Sequence, residues 1–126
     1  MQELAAGKYV EKKSRFYTHI YNITDIAEVE LILKSHRSLY KKANHHCYAY
    51  IFIDKNKQVA DKYHDDGEVG HPGKVLLEVL KSNKLNHHLI VVSRIFGGIK
   101  LGVGGVSKAF KEAANATMLY YKNQNR

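Results

Sequence analysis

The sequence predicts an α+β domain in which helices pack on one face of a mixed sheet. Three observations carry that prediction. The only long apolar strand is Leu89-Ile90-Val91-Val92. Three other segments repeat apolar residues at helical spacing. In chain order the segments read as two strands, a helix, two strands, a helix, a strand and a helix, so strands and helices are interspersed without a strict alternation.

From Tyr9 to Asn22, Phe16, Thr18 and Ile20 alternate with Tyr17, His19 and Tyr21, as an opening strand or hairpin requires. Lys8, Lys12, Lys13 and Arg15 make this end basic, with Tyr9, Phe16 and Tyr17 between them. Such a mixture can neutralise and stack on single-stranded RNA; half-buried strand aromatics beside solvated lysines are the plainer reading. Thr24 or Asp25 caps the first helix, and Asp25 and Glu28 have the spacing of a capping box. Ile26, Val29, Ile32 or Leu33, and Leu39 carry its apolar stripe to about Tyr40. Lys34, His36, Arg37, Lys41 and Lys42 then lie at the negative end of its dipole, which stabilises them there.

His45 to Ile53 is rich in aromatic and β-branched residues, Asp54-Lys55-Asn56-Lys57 has turn chemistry, and Val59 to His64 returns as the second strand of a hairpin. That strand leads into Asp65-Asp66-Gly67-Glu68. Crowded carboxylates repel one another, so this cluster suits either a cation such as Mg²⁺ or partnership with nearby lysines and arginines; a surface turn is the plainer reading. Pro72 opens a helix with Val75, Leu76, Val79 and Leu80 facing the core, and Asn83-Lys84-Leu85-Asn86 ends it. After the apolar strand, Val106, Ala109, Phe110, Ala113, Thr117 and Tyr120 mark the last helix. Residues 122–126 read as a polar, frayed tail to a single domain spanning 1–121.

At 126 residues and 14.4 kDa the chain has room for one core and no second. It carries 20 Lys plus Arg against 12 Asp plus Glu, a net charge of +8, which favours polyanionic company such as ribosomal RNA or an acidic protein surface. No apolar run approaches the roughly 20 residues of a membrane span, and no signal-peptide pattern opens the sequence. The single Cys47 excludes an intramolecular disulfide and points to a reducing cytoplasm.

The candidate site is the stretch Arg94 to Gly105, which holds five of the nine glycines. Between an apolar strand and a helix, such a loop bares backbone N–H groups at the positive end of a helix dipole, with Lys100 and Arg94 adding charge. Gly97, Gly98, Gly102, Gly104 and Gly105 are therefore candidate anion-binding residues; glycines that merely let the helix lie close to the sheet are the alternative. A Walker loop is absent, because no Gly-Lys-Ser/Thr triplet occurs. The dinucleotide fingerprint fits Gly102 and Gly104 but meets Ser107 where its third glycine belongs. The histidines and Cys47 lack zinc-site spacing, so no metal residues are assigned, and Cys47 reads as a small core residue.

Four ordered blocks carry a resemblance: His45-x-Cys47-Tyr48-Ala49-Tyr50, Asp65-Asp66-Gly67-Glu68, Gly73-Lys74-x-Leu76-Leu77-Glu78-Val79-Leu80, and Arg94-x-Phe96-Gly97-Gly98-x-Lys100-Leu101-Gly102-x-Gly104-Gly105. In that order they resemble the motifs of the Impact/YigZ family. The resemblance implies the fold type shared with domain IV of elongation factor G and with GHMP kinases, including a left-handed β-α-β crossover. It also implies a role around translation; eukaryotic members look like regulators that bind a ribosome-associated activator of the amino-acid-starvation kinase. Longer bacterial relatives add a C-terminal ferredoxin-like domain, which this sequence is expected to lack. His45 and Lys74, inside matched blocks, join the candidates in support.

Two functional readings follow. In the first, a cytoplasmic binding module uses the glycine loop, Lys100, Arg94 and the acidic turn to hold RNA phosphates, the ribosome or a protein partner. In the second, an enzyme of GHMP-kinase type acts on a small phosphorylated molecule, with Asp65, Asp66 or Glu68 holding Mg²⁺. The first is preferred, because so short a chain leaves little space for an adenine pocket.

Overall fold

The computed structural model of the chain describes residues 1–124. Its elements follow the expected order: β1 (Gln2–Glu11), β2 (Ser14–Asn22), α1 (Glu28–Leu39), β3 (His45–Ile53), β4 (Val59–His64), α2 (Pro72–Ser82), β5 (His88–Ile95) and α3 (Val103–Gln124). They build one five-stranded sheet in the order β1-β2-β5-β3-β4, and every neighbouring pair is antiparallel. The expectation of a mixed sheet is corrected by the position of β5. It inserts between β2 and β3, so the strands joined through α1 run parallel to each other without touching. The strands joined through α2 are separated by β3 in the same way.

A second correction concerns the helices. The even-numbered residues of β2 and β5, such as Phe16, Ile20, Ile90 and Val92, pack with Leu76, Leu80, Phe110 and Ala114 of α2 and α3. Tyr21, Leu89 and Val91 point to the other face and pack with Val29, Ile32 and Leu33 of α1. The sheet is thus covered on both faces. The uninterrupted apolar run of β5 is the physical reason, since a strand with water on one face would alternate with polar residues.

The opening hairpin is longer than expected, because β1 reaches back to Gln2 and pairs with Asn22. Lys12 and Lys13 form its two-residue turn with φ values of 45° and 67°, the left-handed geometry that matches strand twist. The expected cap at Thr24 or Asp25 is corrected: α1 begins at Glu28 with Ala27 as its N-cap and no side-chain cap, and only the Glu28 half of the Asp25–Glu28 capping box forms, in the turn ahead of the helix. Glu28 accepts from the backbone N–H of Thr24 at 2.7 Å and of Asp25 at 3.2 Å, and the Asp25 carboxylate accepts from Ala27 N at 2.8 Å. Pro72 opens α2. α3 continues through Gln124, so the first residues of the proposed frayed tail are helical; residues 125–126 of that expectation lie outside the described ones.

Under α1, His36 is buried between the Tyr21 hydroxyl, 2.9 Å from its Nε2, and the Ser93 hydroxyl, 3.0 Å from its Nδ1. Desolvation, aided by the charges of His19 and His46, lowers its pKa to about 3. Above pH 6.5 the residue is neutral both folded and unfolded, so it has no effect on stability. As the pH falls below that value the unfolded chain takes a proton that the folded chain refuses. His36 therefore removes stability between pH 6.5 and about 3, at about 1.4 kcal/mol per pH unit. Urea unfolding at pH 6.5 and 5.5 is expected to show a loss of about 1 kcal/mol from this residue, because the unfolded histidine is already half protonated at the higher pH; equal midpoints would mean that His36 can be protonated in the fold.

Candidate partner-binding cleft

Arg94 occupies the end of β5 on the α3 side of the sheet, where its side chain is only 6% exposed. Its Nη1 donates to Glu68 Oε2 at 2.8 Å, and the Glu68 side chain is 4% exposed. Nη2 donates to Ser14 Oγ at 3.2 Å, and the guanidinium lies 5.5 Å from the Phe16 ring centre and 5.7 Å from that of Phe96. Its Nε meets no acceptor among the described residues. Ser14 also accepts the Gly97 N–H at 3.3 Å, and Asn44 Oδ1 accepts the Phe96 N–H at 2.9 Å. These contacts pin the start of the glycine loop to the first hairpin and to the start of β3.

Gly97 is required by a close approach. A Cβ there would stand 2.1 Å from the backbone carbon and oxygen of Lys13. Gly70, with φ +82°, has the corresponding role after the acidic turn, since a Cβ would meet the Val103 carbonyl at 2.7 Å. The two loops are thereby drawn together at the start of α3. Between them opens a cleft of about 430 Å³, lined by His45, Val69, Arg94, Phe96, Lys100 and Leu101 among others. Beyond Gly97, among the described residues, the amides of residues 98–105 donate to no protein acceptor; the first N–H of α3 taken up is that of Val106, on the Gly102 carbonyl at 2.9 Å. Gly98, Gly102 and Gly104 have open space around them, and Gly105 lies against Leu101. Lys100 lines the cleft and is exposed.

The acidic turn does not act as one group. Asp65 Oδ1 accepts from Gly73 N at 2.8 Å at the start of α2, while its Oδ2 lies 3.6 Å from His71 Nδ1. Asp66 turns the other way and accepts from His46 N at 2.7 Å. Glu68 alone sends its carboxylate to residues that line the cleft, Arg94 and His45, and the His45 Nε2 is 3.6 Å from the same oxygen. His45 Nδ1 is held 2.9 Å from the Asp66 carbonyl. Among the described residues no three His, Cys, Asp or Glu side chains are placed to hold a metal ion. Cys47 is buried, with Sγ donating to the Asp65 carbonyl at 3.2 Å, and burial pushes its thiol pKa up. Lys74 is exposed on α2 and does not line the cleft. No helix is long and apolar enough to cross a membrane among the described residues.

The arrangement therefore combines apolar walls, a row of unengaged amides and one ammonium, with the Arg94 charge already matched by Glu68. Ser14, Asn44 and Phe96 complete it. Sequence reasoning did not assign them roles: Ser14 and Asn44 are ordinary turn-flanking residues, and Phe96 was visible only as part of a motif block.

Comparison with known proteins places this architecture. A family model described as the Impact N-terminal domain matches residues 12–118. The chain belongs to that family. Among Impact relatives, the family member YvyE of Bacillus subtilis is 35% identical over 116 residues, covering 91% of this chain and 52% of that protein. The IMPACT homolog of Dictyostelium discoideum is 42% identical over 94 residues, covering 73% and 27% respectively. The chain thus spans about half or less of the length of these Impact proteins. A crystal structure of a hypothetical protein superposes with a TM-score of 0.79 at 29% identity, over 94% of this chain and 61% of the other. The two-domain translational regulator Yih1 superposes with a TM-score of 0.63 at 21% identity, over 94% and 46%, a likeness of fold.

Proposed function

We propose that this Impact domain is a binding module acting in the regulation of translation, and that the cleft between the glycine loop and the acidic turn holds its partner. The observation that carries the reading is the run of unengaged amides from residue 98 to residue 105, ending in the first turn of a 22-residue helix and bordered by Lys100. Such amides attract a negatively charged oxygen. The apolar walls supplied by Val69, Phe96 and Leu101 suit a protein segment, in which a carboxylate neighbours an apolar side chain, better than they suit a sugar-phosphate chain. A structural neighbour described as a translational regulator supports the link to translation.

The likeness to domain IV of elongation factor G is part of the same reading and has topological support. The β2-α1-β3 and β4-α2-β5 crossovers start on antiparallel strands, step in opposite directions across the sheet and carry their helices on opposite faces. Three reversals give them opposite hands, so one crossover is left-handed where right-handed is the rule. No observation favours the phosphotransfer alternative: Asp65, Asp66 and Glu68 face three different neighbours.

Co-sedimentation with purified ribosomes, washed and supplemented with their associated proteins, tests the proposal. Lys100→Ala is expected to weaken association about tenfold, the worth of one charge-assisted hydrogen bond. Leu101→Asp, which puts a like charge beside the bound oxygen, is expected to abolish it. Absence of association at every salt concentration would defeat the proposal, and binding that survives both substitutions would move the partner off the cleft.

A further inference from the structure

On the opposite face of the sheet, α1 ends at Leu39 and leaves one corner uncovered. The register puts Lys8 beside Tyr17, Val10 beside Arg15, and Arg15 beside Ile95, all on the α1 side. A shallow cavity of about 380 Å³ lies there, lined by Arg15, Tyr17, Leu39, Tyr40, Lys41 and Lys42 among others, with no carboxylate in its lining. The Tyr17 and Tyr40 rings stack with centroids 4.5 Å apart and planes 20° from parallel, and Lys8 Nζ stands 5.9 Å from the Tyr17 centroid. Lys12 and Lys13 extend the positive charge to the hairpin tip.

The two acids of β1 are each engaged, Glu3 one histidine away from the corner, since the Nε2 of its partner His19 lies 2.6 Å from the Tyr40 hydroxyl. Glu3 pairs with His19, and Glu11 accepts the Tyr9 hydroxyl at 3.0 Å on the other face of the strand. The α1 dipole explains a lysine pair at its C-terminal end. It does not explain Lys8 and Arg15, which stand on neighbouring strands. Val10 and Leu39, 53% and 64% exposed, add apolar surface around the rings.

We infer that this corner binds single-stranded RNA, with a base stacking on the Tyr17–Tyr40 pair while Lys8, Arg15, Lys41 and Lys42 meet the flanking phosphates. Lys8 has a flexible stem and swings from the ring to a phosphate when the base takes its place. Phosphate contacts alone would accept a duplex; the tyrosine pair needs an unpaired base, since a paired one has no free ring face. An acidic protein would use the lysines and leave the rings idle. The inference does not depend on the cleft, which lies across the sheet.

Fluorescence anisotropy with a labelled RNA oligonucleotide of about 12 nucleotides, within the usual site sizes, provides the test. Affinity is expected to fall linearly with salt on logarithmic axes. Lys41→Glu with Lys42→Glu is expected to weaken binding at least about tenfold at low salt and to reduce the slope by about 1.4. Tyr17→Leu is expected to lose about fivefold or more, with Tyr17→Phe retaining wild-type affinity. A control with the same charge change at the far edge of the sheet, Lys55→Glu with Lys62→Glu, is expected to keep most of the affinity. Three results would each overturn the inference: no binding at about 50 mM salt, an equal loss in the far-edge control, or competition by polyglutamate as effective as that by unlabelled RNA. The lysine substitutions are on exposed side chains, so the test stands even if a Tyr17 variant fails to fold.

Discussion

Glu68→Ala is expected to destabilise the fold by about 3–5 kcal/mol, the usual result of leaving one member of a buried ion pair behind. Arg94 and Glu68 are both almost fully enclosed, and their 2.8 Å contact is the main compensation for a guanidinium taken out of water. Ser14 supplies only a neutral oxygen at 3.2 Å, and Nε already lacks an acceptor. At the midpoint of thermal unfolding the loss corresponds to roughly 10–20 °C for a domain of this size. Replacing both members, as Glu68→Leu with Arg94→Met, is expected to recover much of it, because no orphaned charge remains. Urea or thermal unfolding of the two variants decides the matter. A loss below about 1 kcal/mol in Glu68→Ala would mean that the pair is solvated, as exposed pairs are.

Gly97→Ala is the second large effect, expected at about 3 kcal/mol, the upper end of ordinary overpacking. The added carbon would fall 2.1 Å from backbone atoms of Lys13, which, unlike a side-chain tip, cannot swing aside. Either the Lys12–Lys13 turn lifts, weakening the β1–β2 hairpin, or the loop withdraws and Gly97 N leaves Ser14 Oγ. Gly104→Ala, two residues into α3 with open space around it, should cost nothing by comparison and should gain slightly from helix propensity. Equal melting curves for the two alanine variants would contradict the close approach described at Gly97.

The order of elements was legible because each signal was local. Period and turn residues can be read within a dozen residues, although the cap of α1 was placed two to three residues early, since the Asp25 carboxylate accepts from Ala27 N in a turn ahead of the helix. Sheet order is not local. Nothing within Leu89-Ile90-Val91-Val92 states that it will lie between β2 and β3, although its lack of polar residues did carry the two-sided burial that the one-face reading overlooked. The candidate site divides in the same way. The glycine loop was recognisable from composition, whereas the pairing of Arg94 with Glu68 joins residues 26 apart and was open to sequence reasoning only as a general partnership between the acidic turn and nearby cations. The corner around Tyr17 was visible as a basic and aromatic mixture, but the stack that organises it needed Tyr40, contributed from across the helix.

The central place of β5 also sets a timetable for the molecule's birth. The hairpins β1–β2 and β3–β4 share no direct pairing; β5, emerging after residue 87, is what sews them into one sheet. A nascent chain halted before that point holds two unjoined ribbons with bare inner edges, the condition in which strands most readily take up foreign partners. Assembly of the sheet must therefore wait until β5 has left the machinery that makes it.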